Sequence, residues 1–173
     1  MTTRLPSIFG AAVLLTASPS IAAAQGAALQ PITIGDELAD KREDYGGRDI
    51  DTLTDTLRSD IEHALNRAGL LGNEAADIRI AVMLNNAWPN RPTREQIRAE
   101  PGLSYQSMSR GGADLSAVIQ DCEGREIGRI AYDWRTPFIE DSAHRSTWSD
   151  AERTFERFAN RLVGAVREAE TGA

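Results

Sequence analysis

The stretch DIRIAVMLN, residues 77–85, alternates apolar side chains with a second, mixed set. The apolar set consists of Ile78, Ile80, Val82 and Leu84. Because successive side chains of a β-strand point to opposite faces, this pattern predicts a strand with one buried face. Its length and apolar content favour a place in the middle of the sheet.

Two amphipathic helices are predicted on either side of this strand. Residues 50–68 carry apolar side chains at helical spacing, with Asp49 as the expected N-cap and Gly69 as the end. In the C-terminal segment, Ser149 and Glu152 have the spacing of a capping box. The buried stripe of this second helix is expected to be Ala151, Phe155, Phe158, Ala159, Leu162 and Val166.

Shorter alternating runs predict four further strands, at residues 32–34, 103–109, 113–121 and 126–134. Residues 38–49 are charged and contain two consecutive glycines, so we expect a mobile loop there. The order β-α-β-β-β-β-α predicts an α+β two-layer sandwich, with a mostly antiparallel sheet and both helices on one face. The other face of the sheet is expected to stay largely open.

The N-terminus has the three parts of a secretory signal: one basic residue, a short apolar run and Ala22-Ala23-Ala24 before Gln25. We therefore expect residues 1–24 to be a signal peptide and residues 25–173 to form a single α+β domain. The apolar run is too short to span a bilayer, so no transmembrane segment is predicted in the mature chain. The expected location is periplasmic or secreted, in soluble form.

The charge of the chain argues against nucleic acid as a partner. The net charge is −7, and removing residues 1–24 would change it to −8 because Arg4 is their only charged residue. Nucleic-acid binding depends on a basic surface, which this composition does not provide. The sequence contains no HExxH, P-loop, GxSxG, CxxC or GxGxxG pattern, so we expect no catalytic residues, no metal and no cofactor.

The single cysteine, Cys122, lies in the sequence Asp121-Cys122-Glu123-Gly124, which has the preferences of a type I turn. Its two acidic neighbours disfavour a thiolate, which argues against a nucleophile. A tolerated turn residue is the first interpretation, and a disulfide-linked dimer through Cys122 is the second. The predicted strand order places this turn at the same end of the sheet as Trp88, Arg91 and Arg94.

The histidines and a row of arginines have ordinary explanations. His63 lies opposite the apolar stripe of its helix, where solvent exposure is expected. His144 shares a loop with Asp141, a pair that leaves a metal or hydrolytic site open as an alternative. The last helix carries Arg153, Arg157, Arg161 and Arg167 on one side. They predict a solvated face, or contact with an anionic envelope surface.

Two surfaces are the preferred candidates for binding. The 86–102 loop contains Trp88, Asn90, Arg91 and Arg94, an aromatic and guanidinium set suited to an anionic or sugar-like ligand. A Trp88 packed under the sheet edge is the alternative. The open sheet face is expected to present Met83, Val118 and Arg129, together with Arg79, Ala81, Gln120, Ala131 and Asp133.

Three segments carry a resemblance to a family: PTREQIRAEPGL at 92–103, GGADLSAVIQDCEGREIGRIAYDW at 111–134 and TWSDAERTFERFA at 147–159. They resemble a family of uncharacterised exported proteobacterial proteins, over about residues 75–162. In order of elements the chain also resembles small envelope domains, such as the lipopolysaccharide-assembly lipoprotein and the N-terminal domain of the Tol-system propeller protein. It lacks the lipid-attachment cysteine of the lipoproteins among them.

These resemblances imply an accessory role in the cell envelope. The expected function is that of a non-enzymatic exported protein that binds an envelope protein or an anionic envelope surface. The alternative is a small-ligand-binding or hydrolytic site in the 86–102 or 135–147 loops.

Overall fold

The structure, a computed structural model, describes residues 26–73, 76–143 and 145–172. The proposed signal peptide, residues 1–24, lies outside these ranges. The strands are β1 (Ala27–Leu29), β2 (Thr33–Ile34), β3 (Ile78–Trp88), β4 (Gly112–Gln120) and β5 (Glu126–Arg135). The α-helices are α1 (Asp36–Ala39), α2 (Arg42–Tyr45), α3 (Gly47–Ala68), α4 (Arg94–Ala99) and α5 (Ser149–Gly172), and a 3₁₀ helix spans Ile139–Ser142.

The alternating stretch is the centre of the sheet, as predicted. β3 pairs in parallel with the short strands β1 and β2 and antiparallel with β4, which in turn pairs antiparallel with β5. Ile80, Val82 and Leu84 are buried, whereas Met83 on the other face is 41% exposed. The predicted α+β fold with a sheet packed on one side is therefore confirmed.

The two long helices cover the buried face of the sheet. α3 and α5 pack against each other, and α5 lies over both β4 and β5. The apolar stripe of α5, which includes Phe155, Phe158 and Leu162, is fully buried. α3 ends at Gly69, whose φ of 71° is a left-handed conformation that favours glycine.

The predicted strand at residues 103–109 is wrong. This segment forms turns instead, in which the Ser104 amide donates to the Ser107 hydroxyl and the Ser107 amide to the Ser104 carbonyl. Tyr105 is 63% exposed and Met108 is 42% exposed, so the alternation buries no face that would hold a strand in place. β1, which was not predicted, restores the number of strands to five.

Helix starts also differ from the predictions. The predicted mobile loop at 38–49 contains α1, α2 and the first turn of α3. The N-cap of α3 is Gly46 rather than Asp49, whose carboxylate accepts a hydrogen bond from the Trp148 indole at 3.0 Å. Ser149 is the first residue of α5, and its hydroxyl donates to the Ser146 carbonyl instead of capping the helix.

The missing strand reverses the position of Cys122. Because β3 pairs directly with β4, the Trp88 end of the sheet contains Gly112, and the Cys122 turn follows Gln120 at the other end. Eight residues of extended chain separate the two ends, about 27 Å at the usual rise of a strand. The expectation that Cys122 lies near the Trp88 loop is therefore wrong.

The turn itself forms as predicted. The Gly124 amide donates to the Asp121 carbonyl at 3.0 Å, and the Asp121 carboxylate accepts from the amides of Glu123 and Arg125. The backbone hydrogen bond from Arg125, followed by its side chain, lowers the pKa of Asp121. Cys122 is exposed, and a disulfide between two copies stays a prediction.

The arginine stripe of α5 is not wholly solvated. Arg157 lies over the Trp134 ring with its guanidinium carbon 4.6 Å from the centroid, and Arg161 lies over Tyr132 at 4.3 Å. Both rings belong to β5, so these arginines shield the helix-facing side of the edge strand. Arg153 and Arg167 make no ion pair within the described ranges.

Candidate ligand-binding site

The end of the sheet at which β3 and β5 terminate brings an aromatic ring together with cations. Trp88 and Arg135 both flank Gly112 in the ladder. Because Gly112 has no side chain, the Arg135 guanidinium reaches across it and lies 4.2 Å from the centroid of the Trp88 ring. The Lys41 ammonium lies 5.9 Å from the same centroid. Trp88 is thus held by cations and is only half-buried.

A buried polar network fixes the loops at this end. The Asn90 side-chain amide donates to the Asp150 carboxylate at 2.5 Å and to the Ser142 hydroxyl at 3.1 Å. Its carbonyl oxygen accepts from the Asp150 backbone amide at 3.0 Å, which satisfies an amide in the first turn of α5. The Thr136 hydroxyl also donates to the Asp150 carboxylate. These bonds tie the loops after β3 and β5 to the start of α5.

Asp150 is the only charged member of this network and is 1% exposed. Its Oδ1 has no hydrogen-bond partner in the described chain, and the Arg145 Nε lies 3.7 Å away. This distance is too long for a good hydrogen bond but close enough for a favourable charge interaction. A buried carboxylate is costly unless it is compensated, so Asn90, Thr136 and Arg145 together stabilise it.

Arg91 holds backbone rather than presenting its guanidinium to a ligand. It donates to the carbonyl oxygens of Arg145 at 2.7 Å and Tyr105 at 2.8 Å, and to that of Ala143. The guanidinium thereby joins the 103–109 turns to the loop before α5. Asn90 and Arg91, which the sequence suggested as ligand contacts, are therefore structural.

Arg94 faces a cleft of about 600 Å³ between α3, α4 and the loop before α5. The cleft is lined by Gly46, Gly47, Arg48, Asp49, Pro92, Thr93, Arg94, Glu95, Arg98, Tyr105 and Thr147. We call it the arginine cleft. Thr93 and Gln96 form the predicted capping box, which fixes the first turn of α4 and hence the position of Arg94.

The charges in the arginine cleft are unevenly compensated. Asp49 accepts from the Trp148 indole, and Glu95 lies 3.4 Å from Arg98. The guanidiniums of Arg48 and Arg94 make no hydrogen bond or ion pair in the residues that the structure describes. Two unpaired guanidiniums on one cleft form a surface that suits carboxylate or phosphate groups.

A second cleft, of about 290 Å³, lies on the other side of Pro92, which lines both. We call it the tryptophan cleft. It combines the rings of Trp88 and Tyr45 with the apolar side chains of Leu103 and Met108. Burial and the neighbouring Asp44 raise the pKa of Tyr45, whose ring contacts Trp148 edge to face. This cleft suits a small apolar or sugar-like group.

The open sheet face is exposed but partly self-paired. Met83 is exposed and Val118 is half-buried, as expected for the uncovered side. Arg129 forms a two-point ion pair with Glu126 at 3.0 and 2.7 Å, which raises the pKa of Arg129 and lowers that of Glu126. Arg129 is therefore already engaged within the chain, in contrast to the unpaired guanidiniums at the Trp88 end.

The histidines add little to these surfaces. His144 is outside the described residues. His63 is exposed, as predicted, and its Nδ1 lies 3.4 Å from the Ser59 hydroxyl. Within the described ranges, no group of three or more His, Cys, Asp or Glu side chains is placed to hold a metal ion. Nor does any helix in those ranges combine the length and apolarity needed to cross a membrane.

Of the four loop residues suggested by the sequence, the structure brings Trp88 and Arg94 to adjacent clefts. It adds four residues that sequence reasoning missed, namely Tyr45, Arg48, Arg98 and Tyr105. Arg98 follows Arg94 by one helical turn, a spacing visible in the sequence. Tyr45 and Arg48 lie in the segment expected to be a loop, so no sequence pattern connected them with α4.

Comparisons with known proteins identify no family. No family model matches the chain, and no curated protein does. Among solved structures, the hypothetical protein CT253 from Chlamydia trachomatis is 13% identical, with a TM-score of 0.48 over 83% of this chain and 98% of that one. A PelC dodecamer from Paraburkholderia phytofirmans is also 13% identical, with a TM-score of 0.40 over 89% and 93%. Similarity at this level bears on neither function nor partners.

Proposed function

We propose that the protein is an exported, non-enzymatic protein that binds an anionic component of the cell envelope at the Trp88 end of its sheet. The observation that carries the proposal is the pair of unpaired guanidiniums, Arg48 and Arg94, on one cleft. In a chain of net charge −7, such a local excess of positive charge attracts carboxylate or phosphate groups. Export rests on the sequence of residues 1–24.

The lining of the arginine cleft favours binding over catalysis. Its acidic side chains are already engaged, Asp49 by Trp148 and Glu95 by Arg98. General acid or base catalysis needs a carboxyl group that is free to exchange a proton with a substrate. Guanidiniums remain charged at every physiological pH and serve instead to hold anions.

The rigidity of the surrounding loops supports specific recognition. Asn90, Asp150 and Arg91 lock the loops on which the clefts are built, so little conformational entropy is lost when a ligand binds. The neighbouring tryptophan cleft extends the surface across Pro92 and favours an alternative function, capture of a small apolar or sugar-like ligand.

Binding of acidic oligosaccharides tests the proposal. Oligogalacturonate supplies carboxylates, neutral oligosaccharides of the same length lack them, and phosphatidylglycerol vesicles supply phosphates. Replacing Arg48 and Arg94 by alanine together should weaken binding to an anionic probe by about 100-fold or more, since each of the two lost charge-assisted hydrogen bonds contributes ~1.5–3 kcal/mol.

The matched control replaces Arg67 and Arg79, two other arginines without an ion pair in the described chain. It removes the same charge from outside the arginine cleft and should leave binding nearly unchanged. Equal losses in the two double variants would show that only net charge matters. Binding of none of the anionic probes would contradict the proposal outright.

A further inference from the structure

The edge strand β5 is open to a second strand. It pairs with β4 on one side, and no described residue pairs with it on the other. An open edge of 10 residues is a template for pairing with another chain unless it is protected. The residues that face outward therefore determine what this edge can bind.

The hydrogen-bond pattern identifies the outward residues. The Thr136 amide donates to the Gly111 carbonyl at 2.9 Å, so the backbone of Thr136 points toward β4. Because an antiparallel strand points its backbone groups to alternate sides, the even-numbered residues from Gly128 to Trp134, where the register is regular, also face β4. Arg129, Ala131 and Asp133 therefore direct their amides and carbonyls to the open edge.

The side chains of these same residues lie on the open sheet face, where their charges alternate in sign. Arg129 and Asp133 are separated by Ala131, which is small and exposed. Asp133 is directly opposite Asp114 of β4, and neither carboxylate has an ion pair in the described part of the chain. Like charges directly opposite each other destabilise a sheet. A cationic side chain on a strand added to the other edge of β5 would therefore stabilise Asp133.

We propose that two copies of this chain associate through their β5 strands, antiparallel and centred on Ala131, to form a continuous sheet across a two-fold axis. In this register the residue numbers of two facing positions always add up to twice 131. Arg129 of each copy therefore lies opposite Asp133 of the other. Ala131 faces its own counterpart. The axis stands perpendicular to the sheet, so both helical layers lie on the same side.

Neighbouring registers are disfavoured by charge. Centring the pair on Tyr132 places Arg129 opposite Arg135, and centring it on Ile130 places Asp133 opposite the apolar Ile127, so neither register joins Arg129 to Asp133. Opposite-charge pairs stabilise a sheet and like-charge pairs destabilise it. The sequence therefore selects the Ala131 register among those that keep the side chains on their proper faces.

The helical layer fits the same two-fold axis. α5 lies over both β4 and β5, so the two α5 helices would be separated by about two strand spacings, or ~10 Å, a normal distance between packed helices. Gly164 lies on the β5 side of α5, on one helical stripe with Arg161, and has open space around it. A small residue there lets the two helices approach near the axis.

A second charge pair follows in the helical layer. Arg157 lies over Trp134, and the backbone at Gly128 is close to Ala169, the neighbour of the exposed Glu168. The Ala131 register places Trp134 of one copy opposite Gly128 of the other. It thereby brings Arg157 near Glu168 of the second copy.

The existing pair between Arg129 and Glu126 is compatible with association. It is exposed and therefore contributes little stability. It uses Nε and one terminal nitrogen of the guanidinium, so the other terminal nitrogen is free to donate to Asp133 of the second copy.

Sedimentation velocity and light scattering of the purified protein test the proposal, with a reductant present so that a Cys122 disulfide cannot contribute. We expect a concentration-dependent dimer. Arg129→Asp or Asp133→Arg alone should each raise its dissociation constant about tenfold or more, because two attractive pairs become repulsive. Arg79→Asp makes the same change of charge on an interior strand of the same face and should leave the dimer intact.

Mixing the two single variants gives the decisive result. In a heterodimer of Arg129→Asp with Asp133→Arg, both cross-strand pairs join opposite charges, so the mixture should dimerise although each variant alone does not. The double variant carrying both changes should also recover. A wild-type protein that stays monomeric at high micromolar concentration, or a dimer that Arg129→Asp and Arg79→Asp weaken equally, would overturn the proposal.

Discussion

The Asn90 network makes a strong prediction, because one side chain joins three parts of the chain. Replacing Asn90 by alanine should lower the free energy of unfolding by about 3–4 kcal/mol. The bond to the Asp150 carboxylate is charge-assisted and contributes ~1.5–3 kcal/mol. The bonds to Ser142 and to the Asp150 amide contribute about 1 kcal/mol each. Water entering the gap restores part of this loss.

Urea unfolding followed by circular dichroism measures this effect. With a slope of about 2 kcal/mol per molar urea, the midpoint should fall by roughly 1.5–2 M. Asn85→Ala is the matched control, since Asn85 lies on β3, five residues before Asn90, and bonds Asp114 and Ser116 on the half-exposed face. It should cost only about 1 kcal/mol.

A loss below about 1 kcal/mol for Asn90→Ala, or one equal to that of Asn85→Ala, would refute the structural role of the network. The variant also separates structure from recognition. Because Asn90 is fully buried and lines neither cleft, Asn90→Ala should weaken the binding of anionic probes far less than replacement of Arg48 and Arg94, under conditions where it remains folded.

Three further predictions follow from local geometry. A Cβ at Gly111 would lie 2.4 Å from the Asn90 Oδ1, so Gly111→Ala should destabilise the protein strongly alone but much less in the Asn90→Ala background, measured by a double-mutant cycle. Burial and then Glu156 raise the pKa of Asp60, so the folded state favours the protonated carboxyl. Ionisation of Asp60 therefore lowers the stability of the protein as the pH rises through the folded pKa. Asp60→Asn should therefore stabilise the protein by a few tenths of a kcal/mol at pH 7 but not at pH 3, in urea unfolding at both values. The lowered pKa of Asp121 means that its turn is stable above the ordinary carboxyl pKa and loosens as the pH falls through the folded value. An NMR titration should find this carboxyl ionised at a lower pH than free aspartate, and an ordinary value would contradict the turn geometry.

The sequence predicts the helices and the central strand well because their periodicities report burial directly. Ile80, Val82 and Leu84 are all buried on the side that their spacing indicates. The 103–109 segment also alternates, but Tyr105 and Met108 find no apolar layer to pack against. Alternation shows that a segment is able to form a strand, whereas only tertiary contacts determine whether it pairs.

That single miscounted strand has a large effect on the predicted site. Each strand in a meander reverses direction, so one strand more or fewer moves every later turn to the opposite end of the sheet. Cys122 was expected beside Trp88 for this reason. The error lies in the number of strands between Trp88 and Cys122. It does not affect the local prediction of the Asp121 turn, which forms as expected.

The candidate site was predictable only in part, since polar loop residues look alike in sequence whatever they bind. By sequence, Asn90 and Arg91 are as suitable for contacting a ligand as Arg94. The structure shows that Asn90 and Arg91 satisfy a buried carboxylate and backbone carbonyls, which sequence alone cannot reveal. Arg48, in the first turn of α3, lies on one cleft with Arg94 because α2, directly before α3, packs against α4, a contact between segments far apart in the chain.

The proposed dimer and the proposed ligand site use different parts of β5, so the two are compatible. Arg135, at the end of β5, lines the tryptophan cleft, whereas the self-complementary residues lie nearer the middle of the strand. A two-fold axis at Ala131 reverses the strand direction, so the Trp88 ends of the two copies point in opposite directions. Two arginine clefts then lie at opposite ends of one sheet, and a dimer is able to hold two anionic groups that a monomer cannot reach together. Loss of the dimer should therefore weaken binding to a surface or polymer with many charges far more than binding to a short oligosaccharide.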